Sequence, residues 1–296
     1  MKQPEEPNKE DCCNSGCSPC IFEVYEKQLR LYKNFQECGE ILDQKENGIS
    51  QLEYTTFTVI NVNSLCDFHK IITFKKLNKE KNEIQKIWWN PGDHFLLKYC
   101  FDTGSCTRAY TPIKMTPHSQ EFDFSIIVKQ YHTGLVSKYL HSLKEGDQTL
   151  WRGPFGSYEI IPNKYTRLIM LAQGTGITPF ISIIDKILNN EDDFTKIVLF
   201  YCCSSEDKIL LRNELYTYKS FWNFTYKIFL NSLSKNGAHK YHEPVHNQKL
   251  KYDDLLVLKP FTINDQFLLC GSKLFINEYK CFLQNENVLH ENIVSF

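Results

Sequence analysis

A chain of 296 residues exceeds what one hydrophobic core ordinarily organises, so two domains are expected, and the apolar share of 42% is ample to fill them. Its 34 lysines and arginines nearly match 35 aspartates and glutamates, which excludes the large single-sign field that would draw in nucleic acid or an anionic membrane. No run approaches about 18 apolar residues, and the start Met1-Lys2-Gln3-Pro4 opens neither a signal peptide nor a Met-Gly acylation site, so a soluble intracellular protein without a transmembrane anchor is expected.

Residues 1–11 are charged and carry prolines, a composition that predicts disorder. Cys12-Cys13-Asn14-Ser15-Gly16-Cys17-Ser18-Pro19-Cys20 then leads into a segment whose Phe22, Tyr25 and Leu29 follow a helical stripe. Cys13, Cys17 and Cys20 are thiols of a kind that suits zinc or an iron–sulfur cluster. Their spacing is not a paired CxxC set, which favours the alternative of reduced thiols in a helical hairpin. Cys100, Cys202, Cys203 and Cys281 sit in apolar runs and read as small buried hydrophobes that need no disulfide in a reducing compartment. Residues 38–52, polar and containing Gly39 and Gly48, read as a linker.

From Glu53 the hydrophobic period becomes two: Tyr54, Thr56, Thr58 and Ile60 alternate with Thr55, Phe57, Val59 and Asn61. Further strands are expected at 69–77, 84–89, 94–100, 107–111, 122–131 and 148–152, separated by turns such as Asn90-Pro91-Gly92-Asp93 and Lys144-Glu145-Gly146-Asp147. One helix interrupts them, Leu135 to Leu143, with Val136, Tyr139, Leu140 and Leu143 facing inward. Many short strands with a single helix predict a closed antiparallel barrel. After Pro162 the order becomes strand then helix, at 167–172, 177–188, 196–203, 207–219, 224–230, 251–257, 266–270 and 274–283. That alternation predicts a parallel sheet covered by helices on both faces.

Two motifs stand one in each half. In Arg108-Ala109-Tyr110-Thr111-Pro112 a strand would place Arg108 and Tyr110 on one face, where a guanidinium can clamp phosphate while a phenol ring packs a flat heterocycle such as a flavin. In Gly174-Thr175-Gly176-Ile177-Thr178-Pro179 a glycine turn joins an apolar strand to a helix. There a pyrophosphate or nicotinamide can approach the backbone closely. The later segment Ser204-Ser205-Glu206-Asp207 can hydrogen-bond a ribose diol and would repel a 2′-phosphate, which favours NADH over NADPH, with Lys208 and Arg212 as nearby countercharges. His239, His242 and His246 form a loose cluster that reads as a solvated loop before a metal site.

These motifs recur in order with Ile126 to Tyr131, Gly134 to Leu140, Gly146-Asp147, Gly153-Pro154-Phe155-Gly156, Asp207 to Arg212, Cys270-Gly271 and the terminal Phe296. Together they resemble the NADH-cytochrome b5 reductases of the ferredoxin-NADP reductase-like group, over roughly residues 53–296. The cysteine-bearing start resembles the short oxidoreductase-like module found at the N-terminus of some such proteins. The resemblance implies a module at 1–45, an antiparallel FAD-binding barrel at 53–160 and a Rossmann-like NADH-binding α/β domain at 165–296. It implies FAD contacts from Arg108, Tyr110, Thr111, Pro112, Val128, Lys129, Tyr131, Gly134, Leu135, Val136 and Ser137, and from Phe296 as a terminal aromatic over the flavin. Gly174, Gly176, Thr178, Cys270 and Gly271 would serve the nicotinamide, Thr178 and Cys270 being nearest the chemistry.

The activity so implied is hydride transfer from NADH to FAD, then single electrons to a haem acceptor such as cytochrome b5, or to another one-electron acceptor. The chain departs from the family pattern at Gln173, where a glycine is usual, at Ser272-Lys273, where prolines follow, and at Leu135, where a polar residue is usual. A flavin-binding or scaffold protein with weakened hydride transfer, and an NADPH-linked reductase, are the alternatives these departures keep open.

Overall fold

Period-two alternation before residue 160 and strand–helix alternation after it produce two different sheets. The computed structural model describes residues 3–13, 20–38, 47–77, 86–114, 121–231 and 240–296. The chain divides into two units, Met1–Glu159 and Ile160–Phe296.

In the first unit a helix, α1 (Ile21–Cys38), precedes β1 (Thr55–Cys66), β2 (His69–Lys76), β3 (His94–Phe101), β4 (Gly104–Tyr110) and β5 (Phe124–Lys129). A second helix, α2 (Leu135–Ser142), and β6 (Gln148–Phe155) complete it. The strands pair antiparallel in the order β4-β3-β6-β1-β2-β5. Just beyond the edge strand β4, Ile113 exchanges both backbone hydrogen bonds with Ser125 of the other edge strand, at 2.8 and 2.9 Å. That bridge closes the sheet on itself, which removes the exposed edges an open sheet would carry. Inward-facing aromatic rings fill the barrel: Phe124 meets Phe57 and Phe95 edge-on at centroid distances of 5.1 and 5.0 Å, and Trp151 meets Phe74 at 5.2 Å. Val136 and Leu140 of α2, with Leu143, plug one side of this core, whereas Tyr139 is only partly buried and stacks on Tyr99.

Four expectations need correcting. Residues 3–13 are ordered by specific contacts, because Asp11 is buried against the barrel. Of the strand expected at 84–89, residues 84–85 lie outside the described residues and 86–89 take no strand pairing. Part of the expected linker belongs to the core, since Ile49 is buried with Phe57 and Trp151. Cys100 and Cys281 are exposed, whereas Cys202 and Cys203 are buried; an apolar neighbourhood in sequence does not determine which way a residue points from a strand or helix.

The second unit contains β7 (Arg167–Gln173), α3 (Thr178–Leu188), β8 (Lys196–Cys203), α4 (Arg212–Tyr218), β9 (Phe224–Leu230), β10 (Val245–His246), α5 (Tyr252–Leu256), β11 (Asp265–Cys270), α6 (Lys273–Asn285) and β12 (Ile293–Ser295). All pairings are parallel, in the order β10-β9-β8-β7-β11-β12. Ile169 and Leu171 point to the face covered by Phe275, Tyr279, Phe282 and Leu283 of α6, and the alternate residues Leu168, Met170 and Ala172 are buried on the other face. The helix expected over 207–219 starts later, because Leu211 takes a left-handed conformation, φ 55°, between a short 3-10 turn and α4. The strands β10 and β12 are too short to leave a periodic signal in the sequence.

Strand order reverses between β7 and β11, and the crevice beyond the carboxyl ends of such a pair is where open α/β sheets bind ligands. The opposite ends of the same two strands are fastened together. Arg167 donates to both oxygens of Asp265, at 2.6 and 2.8 Å, and to the carbonyls of Leu258 and Pro260. Among the described residues no helix is long and apolar enough to cross a membrane.

Candidate cofactor sites

The barrel brings Arg108 and Tyr110 to one face of the edge strand β4, as their spacing requires. Tyr110 is partly buried, its ring edge-on to Trp151 at 6.0 Å. Burial raises its phenol well above the ordinary tyrosine range, so it stays a neutral donor. Arg108 is exposed, and its Nη1 donates to the Thr107 carbonyl at 2.7 Å and to the Cys13 carbonyl at 3.4 Å. Thr111 and the buried Pro112 carry the chain from β4 to the closing bridge at Ile113.

The second part of this half is the turn into α2. The Ser137 hydroxyl donates to the Gly134 carbonyl and accepts from the Tyr131 amide, both at 3.1 Å. A Cβ on Gly134 would lie 2.4 Å from that hydroxyl oxygen, so the glycine is demanded by the turn itself. Ser137 therefore shapes the site through backbone. The side chains of Val128 and Val136 are in the barrel core, leaving them only main-chain groups to offer a ligand. Leu135 and Val136 open the helix, where amides lack intrahelical partners and favour an anion. Lys129 is exposed with its Nζ 5.4 Å from the ring centroid of Tyr131, and Tyr131 and Leu135 are about half exposed. A cation, open amides and a half-buried phenol suit a flavin nucleotide.

The cysteine-bearing start packs on the outside of this sheet. Cys13, Ile21 and Val24 form one apolar cluster with Leu96 and Phe155, and Cys12, Cys20 and Ala109 lie at its margin. Asp11 anchors the segment: Lys98 and Tyr54 donate to its Oδ1 at 3.2 Å each. Arg152 Nη2 lies 3.3 Å from the same oxygen but is not aligned as a hydrogen bond, so this pair is electrostatic. Burial opposes the Asp11 charge, yet Arg152, the Asn8 amide and Lys98 outweigh it and hold the carboxyl below its usual range. Of the expected thiol ligands, Cys17 lies outside the described residues. Among the described residues no group of three potential ligands is spaced to hold a metal ion.

In the second unit, the two glycines of the turn after β7 are there for different reasons. Gly174 takes φ 56°, and a Cβ there would meet nothing within 4 Å, which leaves the backbone open to a ligand. Gly176 is pressed against β11, where a Cβ would fall 2.3 Å from the Cys270 carbonyl oxygen. The Thr178 hydroxyl donates to the Thr175 carbonyl at 2.9 Å. Thr178 is the first residue of α3 and Ile177 its cap. Cys270 ends β11 opposite Ala172. Burial pushes its thiol up to about 12, so it is neutral at physiological pH.

Three features of this half are not legible in short motifs. Gln173 Oε1 accepts a hydrogen bond from the Ser272 amide at 3.1 Å, and a Cβ on Gly271 would lie 2.8 Å from the Gln173 Cβ. Two of the three expected departures from the family pattern, Gln173 and Ser272, are thus partners, ninety-nine positions apart. The buried Tyr201 donates its phenol to the Gly174 carbonyl at 3.1 Å and accepts from the Leu210 amide at 3.3 Å. Beyond β8, Glu206 pairs with Arg212 at 3.0 Å, while the neighbouring Asp207 is exposed. Phe296 sits at the end of β12, its amide bonded to the Leu269 carbonyl and its ring edge-on to Phe180 at 5.7 Å.

Three family models match in sequence. Residues 1–38 match an oxidoreductase-like N-terminal domain, 56–160 an oxidoreductase FAD-binding domain, and 170–280 an oxidoreductase NAD-binding domain. The chain is 32% identical over 299 residues to the NADH-cytochrome b5 reductase-like protein of Mus musculus, covering 95% of this chain and 91% of that one. Its similarity to the Homo sapiens protein of the same name is 32% over 301 residues, covering 95% and 90%. The fold resembles the cytochrome b5 reductase domain of Ulva prolifera nitrate reductase, with a TM-score of 0.69 at 23% identity, covering 85% of this chain and 100% of that domain.

Proposed function

The chain belongs to the NADH-cytochrome b5 reductase-like proteins, a family of FAD- and NAD-binding oxidoreductases, and we propose that it oxidises NADH and delivers electrons singly to a haem acceptor of the cytochrome b5 kind, or to another one-electron acceptor. The observation that carries the reading is the turn after β7. Gly174 leaves its backbone open while Gly176 packs against Cys270, at the point where strand order reverses. In such an enzyme bound NADH supplies a hydride, and bound FAD turns that two-electron donor into a one-electron source.

The chain's own contribution is position and electrostatics. Arg108 and the amides of Leu135 and Val136 neutralise phosphate, Tyr110 and Thr111 hold a ring system, and Lys129 and Tyr131 line the approach. Thr178 fixes the first turn of α3 through the Thr175 carbonyl. A neutral Cys270 thiol neither attacks nor takes a proton, so it acts by shape. Phe296 is the aromatic residue assigned to cover the flavin. In this reading 1–45, 53–160 and 165–296 serve as an N-terminal module, a FAD domain and an NADH domain. The Gln173 side chain holds the Ser272 amide, so the two turns are joined at this position.

The test is an anaerobic absorption spectrum of the purified protein before and after NADH and, separately, NADPH. A flavin band bleached preferentially by NADH is the expected result; a flavin that neither nucleotide bleaches would establish the scaffold alternative. Arg108→Ala should weaken FAD retention about 10- to 100-fold, the worth of one or two charge-assisted hydrogen bonds, as read from flavin fluorescence after dialysis. Undiminished yellow colour would remove Arg108 from the site.

A further inference from the structure

The discrimination between NADH and NADPH depends on whether a guanidinium near the end of β8 is available to a 2′-phosphate. Arg212 is the one arginine in the segment that follows that strand, and its charge is engaged twice over. Its Nε and Nη2 donate to the two oxygens of Glu243, at 2.7 and 2.5 Å, and Nη2 also donates to Glu206 at 3.0 Å. Glu243 comes from the segment before β10, with a fully buried side chain, and its Oε2 accepts a third bond from the Lys240 amide at 3.1 Å. The Nε–Nη2 edge of the planar fork, which would grip an anion bidentately, is therefore taken. Burial works against the Glu243 charge, but Arg212 and the Lys240 amide outweigh it and hold the carboxyl below its usual range.

Arg212 and Lys240, both acting on the Glu243 charge, offset the two carboxylates, and the exposed Asp207 next to Glu206 adds a further negative charge. We infer that Glu243, a residue outside the segment that follows β8, is a specificity-determining positioning residue: it withholds Arg212 from a 2′-phosphate and so enforces selection of the nucleotide with a free ribose diol. The inference rests on the nucleotide-binding reading above and adds to it which residue sets the choice.

The probes are adenosine 5′-monophosphate and adenosine 2′,5′-bisphosphate, titrated calorimetrically into the full chain without any need for turnover. Wild type should favour the 5′-monophosphate. In Glu243→Gln, which keeps an acceptor and removes a charge, the ratio of affinities should shift at least tenfold towards the bisphosphate. Glu206→Gln, at a partly exposed position that folding tolerates more readily, should shift it in the same direction by a smaller factor. Adding Arg212→Gln to either variant should abolish the gain. An unchanged ratio in both single variants, with the 5′-monophosphate still bound, would overturn the inference alone. A wild-type chain that bound neither probe would overturn the nucleotide reading together with it.

Discussion

Asp11→Ala is expected to destabilise the protein by about 3 kcal/mol, the usual scale for removing one partner of a buried ion pair. The cost arises in what is left behind: Arg152 is 4% exposed and would keep its charge without the carboxylate beside it. Its cation lies 4.4 Å from the Tyr54 ring centroid, which compensates only in part. The structure also sets a ceiling. Once the penalty exceeds what holds residues 3–13 in place, that segment lets go and Arg152 and Lys98 regain water. Urea unfolding combined with limited proteolysis separates the two limits, since release of the segment would open new cleavage near Cys13 before the barrel unfolds. An unchanged midpoint with an unchanged cleavage pattern would mean that Asp11 contributes nothing.

The same pair should make stability acid-sensitive. The Asp11 carboxyl titrates below its ordinary value in the folded state. Its stabilisation is therefore complete above the unfolded carboxyl pKa of about 3.9 and is lost as pH falls through the lower folded value. Asp11→Ala should remove that component of the acid transition.

Gly176→Ala should reduce NADH-dependent activity at least 100-fold and destabilise the second unit by at least the 1–3 kcal/mol typical of overpacking. The added Cβ would lie 2.3 Å from the Cys270 oxygen, 2.6 Å from the Cys270 carbonyl carbon and 3.0 Å from the Gly271 nitrogen. All three are backbone atoms at the end of a strand paired with β7, so no side chain can swing aside. Gly174→Ala makes the informative contrast. Its backbone penalty is about 1 kcal/mol for a left-handed residue, and its methyl would enter open space. It should cost less stability than Gly176→Ala and weaken nucleotide binding. Equal stability losses in the two variants would contradict the separate roles assigned to these glycines.

Sequence periodicity was sufficient to expose the two sheets, because alternation in the barrel and strand–helix order in the second unit are repeated many times over. The glycine turn and the Arg108–Tyr110 face were legible for a related reason: each is local, and strand geometry alone relates its residues. What escaped was held by single long-range contacts. Nothing in the charged run 1–11 distinguishes Asp11 from its neighbours until Lys98, Arg152 and Tyr54 converge on it. Gln173 and Ser272 look like two separate losses when each is compared with the family alone, yet the amide of one is satisfied by the side chain of the other. Cys100 and Cys281 misled because composition speaks to burial only on average.

The phenol of Tyr201 has a bearing on motion. One rigid, buried ring holds both the carbonyl of Gly174 and the amide of Leu210, so the turn after β7 and the loop after β8 share a tie rod. Outward movement of either would cost the buried hydroxyl one of these two bonds. Movement of these two loops should therefore be coupled, and relaxation measurements on their amides should report one exchange rate.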